Sequence, residues 1–179
     1  AEPRRFRHMV ESTTQEVWLT DTQRRIHYVN RAAANSLGYT REELQGLTLV
    51  DIDGTGEAFV RQARERLAAD VAAGRRPQPF EVVHRAKDGR LVPKEVLPTL
   101  VEVDGVTYGC SFAQDISERR RMQATLAAAE TQLRATLDAF PGWVACVGDD
   151  VRYRYINDAM ARRMGRAPAQ ILGQTVEDV

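Results

Sequence analysis

The chain repeats part of itself. Set against itself at an offset of 127, residues 6–52 match 133–179 without a gap at eleven of 47 positions, where typical composition gives roughly three. The identities gather at Tyr28, Asn30, Ala32, Ala34 and Gly38, which recur as Tyr155, Asn157, Ala159, Ala161 and Gly165. Gly46, Thr48 and Asp51 then recur as Gly173, Thr175 and Asp178. One folding unit therefore starts twice, and the first copy continues where the second has only its opening half.

Within the first copy, residues 16–21 and 25–30 are runs rich in Val, Trp, Leu, Ile and Tyr around the polar Thr22, Gln23 and Arg24, which predicts a β-hairpin. Thr40 followed three residues on by Glu43, just ahead of Leu44, is a capping box, so short helices are expected within 31–53. From Glu57 onward Phe59, Val60, Ala63, Leu67 and Val71 recur at helical spacing until Gly74 and Pro77, giving one amphipathic helix. Three strand-like runs follow, 80–85, 90–103 and 106–116, joined at Asp88-Gly89 and Asp104-Gly105, dipeptides suited to tight hairpins. Two strands, several helices and three strands predict an α+β domain with a five-stranded antiparallel sheet and helices on one face.

Residues 117–140 hold no Gly or Pro, and Met122, Leu126, Ala129, Leu133, Thr136 and Phe140 alternate by four and three. That is the spacing of a coiled-coil seam. Two readings stand: a parallel dimer through this seam, or a single helix folded back on the domain's own sheet. The second copy, carrying only a hairpin and first helices, is too short to bury a core of its own. Residues 141–179 are therefore expected to pack against another chain, or to be truncated or partly disordered.

Twenty-five basic residues balance twenty-five acidic ones, so no overall field gathers nucleic acid or an anionic membrane surface. No apolar run approaches the ~20 residues of a membrane-spanning helix. Cys110 and Cys146 lie far apart and outside any Cys-x-x-Cys setting. His8 and His27 have no partners at metal-ligand spacing, and neither a Gly-rich phosphate loop nor a nucleophile elbow occurs. Glu42, Glu43 and Glu118 sit on solvated faces. No catalysis and no metal are expected.

Asp21, Tyr28-Val-Asn30-Arg-Ala32 and Gly38-Tyr-Thr-Arg-Glu-Glu-Leu-Gln-Gly46, with Arg85-Ala-Lys-Asp-Gly89 and Gln114-Asp-Ile-Ser-Glu-Arg-Arg120, resemble the PAS family of sensory domains and its PAC motif. The resemblance implies a PAS fold, a cavity between sheet and helices, and transmission through a C-terminal helix. It divides the chain into an N-terminal helical cap (1–15), a PAS/PAC sensor domain (16–116), a coiled-coil-like linker helix (117–140) and an incomplete second PAS domain (141–179). It implies a cytoplasmic input module of a multidomain signalling protein, foremost a two-component sensor histidine kinase. The alternatives are a ligand-free dimerisation scaffold and the input region of a diguanylate cyclase or phosphodiesterase. Partners would be a second copy, met through the linker and N-terminal helices, and an output domain of the same chain.

A flavin photosensor of this family needs a cysteine near the long helix, and none occurs in 1–109; that photochemistry is excluded. Haem is disfavoured because 57–73 holds no histidine. The cofactor is otherwise open. Trp18, Tyr39, Phe59, His84 and Ser111 are the cavity candidates, each equally able to serve as packing or, for His84, as a half-exposed strand residue. Along the last strand Gly109, Ser111 and Ala113 share one face, and by register with the family this small face should line the cavity. The bulky opposite face, Tyr108, Cys110 and Phe112, is left for a helix or a partner. Asn30 is expected to hold the turn into the helices, while Asp115 and Ser117 mark the junction between sheet and linker.

Overall fold

β-branched and aromatic side chains put 16–20 and 26–29 into extended backbone, and Asp21 closes the turn between them by accepting from the amides of Gln23 (2.7 Å) and Arg25 (3.0 Å). The computed structural model describes residues 8–178, apart from the side chain of Glu57. It divides into two units, 1–120 and 121–179. Residues 1–7 of the expected N-terminal cap lie outside the described residues; 8–12 form a helical turn, α1.

In the first unit β1 (Glu16–Thr20) and β2 (Ile26–Val29) are followed by helices α2 (Arg31–Leu37), α3 (Arg41–Gln45) and α4 (Glu57–Ala72). β3 (Phe80–Arg85), β4 (Leu91–Val103) and β5 (Val106–Asp115) complete an antiparallel sheet in the order β2-β1-β5-β4-β3. The capping box forms as its sequence dictates, with Glu43 N donating to Thr40 Oγ1 and Thr40 N to Glu43 Oε2. The β4–β5 turn places Asp104 and Gly105 both at positive φ, 51° and 76°, the twist that a two-residue hairpin requires. Because β1 pairs with β5, the domain's first strand lies beside its last, and the helices between them cover one face. Val29, Leu37, Leu44, Ile52 and Val92 fill the core there.

One side chain organises the domain's start. Asn30 is fully buried. Its Oδ1 accepts from the amides of Val17 (3.1 Å) and Ala33 (3.1 Å), and its Nδ2 donates to the carbonyls of Val10 (3.0 Å) and Gln15 (2.9 Å). The amide thus joins α1, β1, β2 and the N-terminus of α2, using every hydrogen-bonding position it has. Beside it Tyr28 donates to Glu11 Oε1 at 2.8 Å.

Helix α5 (Ser117–Ala139) holds no buried residue. The second unit repeats the asparagine hub of the first, with one further bond from Asn157 Nδ2 to Phe140 O at 3.3 Å. Asn157 accepts from Val144 N (3.1 Å) and Met160 N (3.0 Å), donates to Leu137 O (3.1 Å) and Gly142 O (2.8 Å), and Tyr155 donates to Asp138 at 2.8 Å. β6 (Ala145–Val147), β7 (Tyr153–Ile156), α6 (Asp158–Met164) and α7 (Pro168–Ile171) surround a small cluster of Tyr153, Ile156, Ala161 and Ile171. In this unit Leu137 O, in the last turn of α5, takes the place that Val10 O of α1 holds in the first copy.

Asn30→Ala leaves two buried amides and two carbonyls unpaired, and is expected to cost about 3 kcal/mol in urea unfolding of the first unit. Asn157→Ala should expose 141–178 to protease while leaving the first unit's midpoint unchanged. A loss below about 1 kcal/mol for Asn30→Ala would remove the hub from its place in the fold.

Candidate ligand cavity and its link to the helix

Strand alternation sends β1 residues Glu16, Trp18 and Thr20 to the helix side, opposite Ala113, Ser111 and Gly109 of β5 in register. Phe80, Val82 and His84 of β3 and Val96, Pro98 and Leu100 of β4 share that face. Across from them α4 presents Phe59, Ala63 and Leu67, and the walls enclose a cavity of about 130 Å³. Its surface is mostly apolar, with Asp21, Arg24, Asp53 and Arg64 the charged residues of the lining. Gly109 belongs to the wall, and a Cβ there would lie 3.0 Å from Thr20 Oγ1, so its lack of a side chain lets Thr20 pack closely on the β5 backbone.

Of the five cavity candidates, Trp18, Phe59, His84 and Ser111 line this space. Tyr39 does not. It follows Gly38, whose left-handed backbone (φ 71°) ends α2 and turns the chain, and it packs against the core outside the cavity wall. Phe59 and Phe80 face each other with centroids 5.9 Å apart. His84 meets Trp18 edge-on at 5.6 Å, and its buried Nδ1 has no hydrogen-bond partner among the described residues.

Behind the cavity wall lies a charged pair. Lys94 is fully buried, and its ammonium lies 2.5 Å from both Glu16 oxygens and 3.0 Å from Ser36 Oγ. The Trp18 indole N–H donates to the same carboxylate at 3.2 Å. Burial pulls the Lys94 pKa below the ordinary lysine value, against the opposing pull of the Glu16 and Asp115 carboxylates. Neither Glu16 nor Lys94 belongs to a recognisable sequence motif. The available signal was a lysine, one of two in the chain, between Val92 and Val96 on the inward face of a strand.

Lys94 is paired in register with Asp115, the residue where the sheet gives way to α5. Asp115 accepts from Ser117 N at 2.7 Å, and Ile116 N donates to Pro93 O at 3.0 Å. The next turn is tied to the sheet by Arg119, which reaches Glu95 (2.8 Å) and Glu81 (3.2 Å), and by Arg120, which pairs with Glu81. Farther along, Met122, Leu126 and Leu133 are about 60% exposed and Phe140 slightly less, with Ala129 exposed between them. The seam is an open apolar stripe.

Among the described residues no cluster of His, Cys, Asp and Glu could hold a metal, and no helix is long and apolar enough to cross a membrane.

A family model described as the PAS fold matches residues 4–116, and a second model with the same description matches 137–179. The sensor histidine kinase TmoS of Ectopseudomonas mendocina is 26% identical over 148 residues, which are 79% of this chain and 15% of that protein; the chain thus spans a small part of that relative's length. Among solved structures, a PAS domain from Colwellia psychrerythraea covers 66% of this chain and 99% of its own (14% identity, TM-score 0.56). A PAS domain, in complex with ethanol, of a LuxR-family transcriptional regulator from Burkholderia thailandensis covers 63% and 97% (17% identity, TM-score 0.52).

Burial, reinforced by the Lys94 charge, lowers the His84 imidazole from 6.5 to about 3. The folded chain therefore keeps the ring neutral while the unfolded chain takes up a proton as pH falls through 6.5. Stability from this group is fully present above that value and is lost as pH drops toward 3. Between about pH 7.5 and about pH 5.5 the parent is expected to lose about 1.4 kcal/mol more than His84→Phe in urea unfolding. Equal losses in the two proteins would mean that His84 is not held neutral.

Proposed function

This chain belongs to the PAS family of sensory domains, and we propose that its first copy senses a small neutral molecule in the cavity and relays the event along α5 to an output domain of a cytoplasmic two-component sensor histidine kinase. The observation that carries this reading is the largely apolar cavity whose wall runs, through Lys94 and Asp115, to the first residue of a helix that holds no buried residue.

The lining favours a molecule that is mostly apolar, since Trp18, Phe59, Leu67 and Phe80 offer no charge. A single polar atom on it could meet the unpartnered His84 Nδ1 or the Ser111 hydroxyl. The ethanol held by the related PAS domain from Burkholderia thailandensis supports a ligand of that size and chemistry. The histidine-kinase output rests on TmoS.

The open stripe of Met122, Leu126, Ala129, Leu133 and Phe140 supports a parallel dimer of this chain, since exposed apolar residues at seven-residue spacing stay in water until a second copy meets them. The stripe also favours a second reading, a dimerisation scaffold with an empty cavity, because it exists whatever the cavity holds.

A native mass spectrum separates these. The parent chain is expected to appear as a dimer carrying added small-molecule mass. Leu126→Glu with Leu133→Glu should give monomers that keep the added mass, because the cavity lies wholly within the first unit. A dimer without added mass would leave the scaffold reading, and a parent monomer would contradict the relay.

A further inference from the structure

The two copies of the repeat act as controls for each other. Both keep the buried asparagine, the tyrosine bonded to a carboxylate, and a threonine hydroxyl bonded to an aspartate, Thr48 to Asp51 and Thr175 to Asp178. Glu16, Trp18 and Ser36 have no such counterparts; the repeat puts Trp143, Ala145 and Arg163 in their places. There the Arg163 guanidinium lies over the Trp143 ring at 5.4 Å, where the first copy has Glu16 and Ser36 bridged by Lys94. The opening half of this fold forms without a buried ion pair. Nor does such a pair gain stability over apolar residues of similar size, because desolvation offsets the attraction. The hairpin and first helices therefore do not by themselves require the group found in the first copy.

Its connections supply one. At one end the Trp18 ring lines the cavity. Its N–H donates to Glu16, a charge-assisted bond stronger than a neutral one. Glu16 holds Lys94 through both oxygens. At the other end Lys94 is paired with Asp115, whose carboxylate takes the Ser117 amide, and the neighbouring Pro93 carbonyl takes Ile116 N. Four residues span from the cavity to the first turn of α5.

We propose that Trp18, Glu16 and Lys94 form the transducing element of this domain. Occupancy of the cavity displaces the Trp18 indole, and the Glu16–Lys94 pair carries that displacement to Asp115 and the start of α5. The pair suits the task because separating it would leave a charge buried without a partner, so the two side chains move together. All three are positioning residues. The inference rests on the sensory reading of the cavity, and the experiment distinguishes failure of one from failure of the other.

Xenon enters apolar cavities of this size without needing a specific contact, and serves as the probe. In the full chain, xenon is expected to shift the methyl resonances of Leu67 and Val82, the Trp18 indole N–H, and the amides of Ser117, Glu118, Arg119 and Arg120. The exposed Trp143 indole is the internal reference and stays still. In Trp18→Phe the methyl shifts should persist while the Ser117–Arg120 shifts fall at least fivefold. Glu16→Gln with Lys94→Met, which leaves the aromatic wall intact, should give the same result if the phenylalanine variant does not fold. Amide shifts that persist in either folded variant overturn the proposal. Absence of the Leu67 and Val82 shifts in the parent overturns the cavity reading itself, and the transducing element with it.

Discussion

One buried amide sets the conditions for everything that follows in this chain. Asn30 lies between a helical turn, a hairpin and a second helix, and its two donors and two acceptor sites satisfy four backbone groups that would otherwise be buried without partners. An unpaired buried polar group costs about 1–3 kcal/mol, so the chain can enter the domain in only one way. Asn157 imposes the same geometry on the second unit. Since the carbonyl it takes from Leu137 belongs to α5, the helix leaving the first domain is also the entry turn of the next. A linker built this way is held at its start by Asp115 and the arginine pairs, and at its end by Asn157 and Tyr155.

With the entry fixed, the rest of the first domain is free to carry chemistry on the inward face of its sheet. Small residues on β5 and aromatic ones on β1, β3 and α4 leave a space between sheet and helix. The polar groups near it divide by role. His84 stays neutral and unpartnered, suited to meeting a ligand, whereas Glu16 and Lys94 are satisfied by each other and by Trp18 and Ser36, suited to holding the wall in register with the junction.

Much of this was legible in the sequence because its signals are local. The capping box at Thr40, the Asp104-Gly105 turn and the period of 57–72 each follow from interactions within a few residues, and the repeat made the domain's opening half visible twice. Asn30 could be read as a turn-holding residue from its place after a strand; that its reach extends to Val10 could not, since the sequence says nothing about what folds beside it. Lys94 and Glu16, 78 residues apart, meet only through the β1–β5–β4 strand order. Tyr39 was set in the cavity on its aromatic character alone, and the left-handed turn at Gly38 places it elsewhere.

The fold and the buried ion pair are separable, the pair being kept for communication. A stability cycle on Glu16 and Lys94 probes that separation. Lys94→Met alone is expected to cost about 3–5 kcal/mol, because it leaves the Glu16 carboxylate buried without a partner, and adding Glu16→Gln should restore more than half of that loss. A double variant as unstable as the single one would show that the pair itself holds the domain together and is not separable from the fold.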